Sequence, residues 1–130
     1  MATSITLKQQ FPVSAKKLYD AWLNSEEHAK MTGGEAECSD VAGGLFSVWD
    51  GYITGKNLSL VGNSEIVQTW RSTEFKDSDA DSKLVVTFRD NREGCELTLI
   101  HTNIPDGQPD YEKGWGDHYF RPMREYFGNS

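Results

Sequence analysis

At 130 residues, 37% hydrophobic and 12% aromatic, the chain has the size and composition of one globular domain and too many rings for a disordered segment. Its formal net charge of −7, from 13 Lys and Arg against 20 Asp and Glu, leaves no basic face for nucleic acid or for an anionic membrane surface. No apolar run approaches bilayer length, so membrane insertion is not expected. Cys38 and Cys95 lack metal-type spacing and are expected as separate reduced thiols in a cytoplasmic protein. Met1 to Lys8 show no basic segment followed by an apolar stretch, and no secretory signal is expected there.

Ser4 to Phe11 alternates and predicts a first strand with Ile5, Leu7 and Phe11 on one face. Ser14 is placed to cap a helix whose apolar stripe is Ala15, Leu18, Tyr19, Trp22 and Leu23. A second short helix is expected from Ser25 to Met31, stopped by Gly33-Gly34. The period then changes to two. Strands are predicted over Glu35 to Ser39, Leu45 to Asp50, Tyr52 to Leu60 and Glu65 to Arg71. Asp50-Gly51 marks a tight turn, and Gly55 marks an expected bulge. Ser72 to Asp81 is polar and acidic and is expected to be a mobile loop. Two further strands, Ser82 to Asp90 and Cys95 to Ile104, are joined by Asn91 to Gly94.

A long helix is expected to begin near Pro109 or Asp110, with Tyr111, Trp115, Tyr119, Met123 and Tyr126 or Phe127 along one side. Pro122 falls inside that pattern and predicts a kink or a break. The fold class is therefore α+β. An antiparallel sheet of about six or seven strands follows two short helices, and the C-terminal helix covers its exposed face. The whole chain, 1–130, is read as a single domain.

Several segments carry a resemblance. They are Gly43-Gly44-Leu45-Phe46-Ser47-Val48-Trp49-Asp50-Gly51-Tyr52-Ile53-Thr54-Gly55-Lys56-Asn57 and Ile66-Val67-Gln68-Thr69-Trp70-Arg71. Leu97-Thr98-Leu99-Ile100-His101-Thr102-Asn103-Ile104-Pro105 follows, and then Gly114-Trp115 through Tyr119-Phe120-Arg121-Pro122-Met123. In order and over nearly the whole chain, they resemble the Aha-type domain, named after activators of the heat-shock protein 90 ATPase. That family belongs to the helix-grip superfamily shared with START domains and the birch pollen allergen. The resemblance implies a strongly curved sheet gripping the last helix. It also implies a chaperone as a possible partner.

A sheet wrapped around a helix can enclose a cavity, and the candidates to line it are Trp49, Gln68, Trp70, Val86, Phe88, Leu99, His101, Trp115 and Tyr119. His101 shares a strand face with Leu97 and Leu99. Either it serves a ligand or a proton transfer, or it is a buried histidine hydrogen-bonded to a neighbour. Gln9 and Gln68 can face inward and contact a ligand, or Val67 and Thr69 can form the inner face instead. His28, His101 and His118 lack zinc-type pairing, and no glycine loop is built for phosphate, so neither metal nor cofactor is expected.

Three functions follow. The first is a non-enzymatic module for a small hydrophobic ligand. The second is a co-chaperone-like module acting on a heat-shock protein 90-type ATPase. The third is a cavity-based cyclase or hydrolase centred on His101.

Overall fold

The computed structural model of the chain describes residues 3–105 and 110–128, and among these seven strands form one antiparallel sheet. In chain order they are β1 (Thr3–Phe11), β2 (Ala36–Glu37), β3 (Leu45–Val48), β4 (Ile53–Val61), β5 (Glu65–Ser72), β6 (Ser82–Asn91) and β7 (Gly94–Ile104). They lie side by side as β1-β7-β6-β5-β4-β3-β2. The last strand thus returns to pair with the first, Leu7 opposite Leu99 and Phe11 opposite Cys95. Two helices, α1 (Ala15–Leu23) and α2 (Ser25–Thr32), intervene between β1 and β2. The architecture is the expected helix-grip arrangement, a curved sheet around a long C-terminal helix.

Local chemistry sets the helix ends. Ser14 Oγ accepts from Lys17 N–H at 3.2 Å, and Asn24 Oδ1 accepts from Glu27 N–H at 2.9 Å, so each short helix has a side-chain cap for its free donors. Gly33, at φ 88°, closes α2 in the left-handed conformation. The expected start at Pro109 lies outside the described residues. The last helix begins as α3 (Tyr111–Trp115), with Asp110 accepting from Lys113 N–H at 3.1 Å. It continues through a π turn, Gly116–Phe120, into α4 (Arg121–Gly128). At the end of the turn Arg121 N–H reaches the Gly116 carbonyl, five residues back instead of four. That extra residue widens the helix directly before Pro122. The chain passes the proline as one helix with a π turn in place of a break.

Alternation decides which faces meet. On β5 the buried residues are Ile66, Gln68, Trp70 and Ser72, so the side carrying Val67 and Thr69 is the outer one. Leu84, Val86 and Phe88 of β6 and Leu97, Leu99 and His101 of β7 are buried on the same inner face. Near the end of β7 the register with β1 shifts, and Asn103 takes φ 59°. This flips the parity, leaving Asn103 exposed and Ile104 buried. Phe11 meets Phe120 and Phe127 edge-on, both with centroids 6.5 Å away, which docks α4 onto the end of β1.

Two expectations are corrected. The strand over Glu35 to Ser39 shrinks to the two residues of β2. The bulge in β4 lies between Asn57 and Ser59, and Gly55 pairs in regular register with Phe46. Gly55 serves space: a Cβ there would lie 2.0 Å from the Thr69 carbonyl and 2.5 Å from the Phe46 ring. The Ser72 to Asp81 segment, expected as a loop, starts at the end of β5 and carries internal contacts. Arg71 donates to the carbonyls of Lys76 and Asp79, both at 2.8 Å, and to Asp81, and Phe75 is buried beneath it.

Candidate functional site

Between the β3–β4 turn, β5 and the C-terminal helix lies a cleft of about 330 Å³ lined by Trp49, Tyr52, Ile53, Trp70, Tyr111, Gly114, Trp115, His118 and Tyr119. The helix supplies most of the lining because Tyr111, Trp115 and Tyr119 recur every four residues and share one side. Trp70 comes from the inner face of β5. Its ring centroid lies 4.9 Å from that of Trp115 and 6.3 Å from that of Tyr119. Trp49 closes the cleft from the turn.

The turn holding Trp49 is longer than the Asp50-Gly51 signal predicts. Val48 pairs with Ile53, so four residues make the connection, and Trp49, Asp50 and Gly51 all have positive φ, at 54°, 59° and 91°. A bulky residue in the left-handed region costs about 1–2 kcal/mol. Contacts on both sides of the ring offset that cost. The Trp49 indole lies 5.8 Å from Tyr119, and its other flank covers Gly34, where a Cβ would sit 2.5 Å from the ring.

Four of the nine expected lining residues, Trp49, Trp70, Trp115 and Tyr119, meet in this cleft. The other five are not among the residues that line it. Val86, Phe88 and Leu99 belong to the packed core between the sheet and the helices, where neighbouring side chains occupy the space a ligand would need. Gln68 is 3% exposed and satisfied internally. It accepts from Trp22 Nε1–H at 3.3 Å and donates to Asn57 Oδ1 at 2.9 Å, and Asn57 passes the chain on to the Ser39 and Val41 carbonyls. Gln9 stays half-buried on β1, away from the cleft.

His101 lies one layer behind the cleft wall and is fully buried. Its Nδ1 accepts from Trp115 Nε1–H at 3.2 Å, which fixes the other tautomer position: Nε2–H donates to Ser82 Oγ at 2.7 Å, and Ser82 donates to the Trp70 carbonyl at 2.7 Å. Of the two readings of His101, the geometry matches the hydrogen-bonded anchor. Burial lowers its pKa to about 4, so the ring is neutral near pH 7.

A second histidine does the same for the next helical turn, and sequence reasoning missed it. His28 Nδ1–H donates to the Trp22 carbonyl at 2.9 Å, and Nε2 accepts from Tyr119 O–H at 3.0 Å. Burial lowers its pKa to about 4 as well, and pushes the Tyr119 hydroxyl well above the usual phenol range. Its only sequence signal was a place on the inner side of a weakly amphipathic helix. Also missed as lining were Tyr52, Ile53, Tyr111, Gly114 and His118. Tyr111 already belonged to the predicted helix stripe.

One buried side-chain donor among the described residues, Trp70 Nε1, has no hydrogen-bond partner. Burial pushes Cys38 up to about 11 and also raises Cys95, so both thiols stay protonated. No group of three or more metal-binding side chains occurs among the described residues, and no helix among them is long and apolar enough to cross a membrane.

Fold and cleft together define a helix-grip domain with an aromatic recess between sheet and helix. The sequence model of the family described as Activator of Hsp90 ATPase homolog 1-like protein matches residues 12–128, and the chain belongs to that family. It is 29% identical over 129 residues to the Activator of 90 kDa heat shock protein ATPase homolog of Dictyostelium discoideum, covering 98% of this chain and 33% of that protein. The human homolog 1 is also 29% identical, over 125 residues, with 95% of this chain and 37% of the human protein covered. The chain therefore spans about a third of the length of these curated relatives.

Among solved structures, an HSP90 activator from Plasmodium falciparum matches with a TM-score of 0.83 and 25% identity, over 98% of this chain and 96% of that one. The Aha1 dimer from Colwellia psychrerythraea, 13% identical and covered to 96% on both sides, matches with a TM-score of 0.79 and speaks to the fold alone.

Proposed function

We propose that this domain is a non-enzymatic binding module whose aromatic cleft takes a small hydrophobic ligand. The observation that carries the reading is the cleft itself: a recess of about 330 Å³ in which apolar ring surface dominates, at the small end of the roughly 300–1,000 Å³ typical of ligand pockets. The non-enzymatic part of the reading draws its support from the same chemistry. Both ring nitrogens of His28 and of His101 are taken up by internal hydrogen bonds, and both thiols are held protonated. The free state of both cysteines supports a reducing, cytoplasmic location.

Gly114 offers a clean test. It lines the cleft, and a Cβ added there meets nothing within 4 Å. Leu at this helical position fills the recess while improving helix propensity by up to about 1 kcal/mol. Titrating the neutral probe 2-naphthol against tryptophan fluorescence is expected to give saturable quenching with a Kd below about 1 mM. Gly114→Leu should abolish it with undiminished thermal stability. Unsaturable quenching, or binding that survives Gly114→Leu, would sink the proposal.

A second reading rests on the relatives' names: a co-chaperone-like module acting on a heat-shock protein 90-type ATPase. Titrating that chaperone with the domain should change its rate of ATP hydrolysis; an unaltered rate with no detectable complex would remove this reading.

A further inference from the structure

Trp70 lines the cleft and is 4% exposed, yet its Nε1–H is shielded from solvent and meets no acceptor. We infer that the ligand of the cleft is a neutral carbonyl compound with an apolar ring body, whose oxygen accepts the Trp70 indole N–H. This deepens the ligand-binding reading above and rests on it.

Buried polar groups in native proteins are nearly always hydrogen-bonded, so a buried donor with no acceptor calls for a physical account. The neighbouring donors show the rule. Of the three buried indoles among the described residues, Trp22 donates to Gln68 and Trp115 donates to His101. In the lining, the Tyr119 hydroxyl donates to His28 and the Tyr52 hydroxyl to Glu74. Trp70 breaks the pattern at the point where the cleft wall meets the sheet.

The fold keeps Trp70 from acquiring an acceptor of its own. Its backbone is fixed in β5, paired with Ser82, and its carbonyl accepts from Ser82 Oγ at 2.7 Å. Around its ring stand Phe46, Trp115, Tyr119 and His101, with centroids 6.0, 4.9, 6.3 and 5.9 Å away. Phe46 carries no polar atom, the Trp115 indole is a donor only, and both nitrogens of His101 are already bonded. The Tyr119 oxygen can accept, but it is held on His28 at 3.0 Å and makes no bond to Trp70. A donor fixed in this way is preorganised for an acceptor that a ligand brings.

Charge selects the kind of acceptor. The lining contains no Lys or Arg to pair with a carboxylate, and the formal charge of −7 opposes the approach of anions. A carbonyl oxygen supplies its lone pairs without charge. The surrounding rings take the apolar body.

The test is nuclear magnetic resonance titration of the full chain, followed on the indole N–H signals. The probes are α-tetralone and its analogue in which an exocyclic methylene replaces the carbonyl oxygen. The two share a shape and the methylene compound is the more apolar, so a cleft that selects by apolar surface alone favours the methylene compound. The ketone is expected to bind about three- to tenfold more tightly, the range that one hydrogen bond supplies. It should also move the Trp70 N–H downfield, which the methylene compound does not. Trp70→Phe, which keeps a ring and removes the donor, should erase the preference; the wild-type Trp70 shift decides the question even if that variant folds poorly. If the methylene compound binds as tightly as the ketone, or both move the Trp70 signal alike, the carbonyl is wrong while the hydrophobic cleft stands. If both compounds and 2-naphthol fail to bind, both proposals fall. Tighter binding of α-naphthoate than of α-tetralone would overturn the assignment to a neutral ligand.

Discussion

Ser82, His101 and Trp115 show how single polar atoms hold the cleft wall. Trp115 is anchored by its indole N–H on His101, whose opposite nitrogen is held by Ser82, which closes on the Trp70 backbone. Removing the serine hydroxyl strands a buried imidazole N–H, at a cost of about 1–3 kcal/mol. Ser82→Ala should therefore lower the urea midpoint by that free energy without changing the slope of the transition, as followed by far-ultraviolet circular dichroism. A loss below about 0.5 kcal/mol would mean that the imidazole finds another partner. His101 was legible as inward-facing because strand parity is strict. Its partners were not, because Ser82 and Trp115 come from elements that sequence periodicity cannot place against one another. Trp49 shows the same limit. Its left-handed φ follows from a four-residue turn and from the space above Gly34, neither of which Asp50-Gly51 announces.

At the scale of the element, the C-terminal helix is clasped at two successive turns by neutral histidines, His101 of β7 on Trp115 and His28 of α2 on Tyr119. Each has its pKa lowered from about 6.5 to about 4 by burial. Between those values the unfolded chain binds more protons than the folded one, so stability rises with pH in this window. The contribution is fully present above about pH 6.5, declines as pH falls, and levels off below about pH 4. Each histidine accounts for up to about 3 kcal/mol. Urea denaturation between pH 7 and pH 4 should show this acid limb, and His28→Gln and His101→Gln should each remove part of it. An unchanged slope in both variants would place the acid sensitivity elsewhere. The elements themselves were largely legible, since alternation and capping residues fix seven strands and three helical regions locally. What escaped was the response to Pro122: a π turn depends on how the helix packs on both sides of the proline, which no local pattern records.

For the whole molecule, the sheet order brings β1 and β7 together and leaves the C-terminal helix across the inner face, with one aromatic cleft where β5, the β3–β4 turn and the helix converge. The sequence carried the fold through alternation and through its family resemblance. It carried four of the nine residues that line the cleft, because inward-facing residues divide between solid core and recess according to sheet curvature. Val86, Phe88 and Leu99 went to the core, and Trp49, Trp70, Trp115 and Tyr119 to the cleft. The central claim, that this recess receives a ligand, is tested most directly by nuclear magnetic resonance of the indole N–H groups while 2-naphthol is added. The account predicts that the Trp49, Trp70 and Trp115 signals move together along one saturable curve, and that Gly114→Leu freezes them. Signals that stay in place up to probe saturation in the wild-type chain would contradict it.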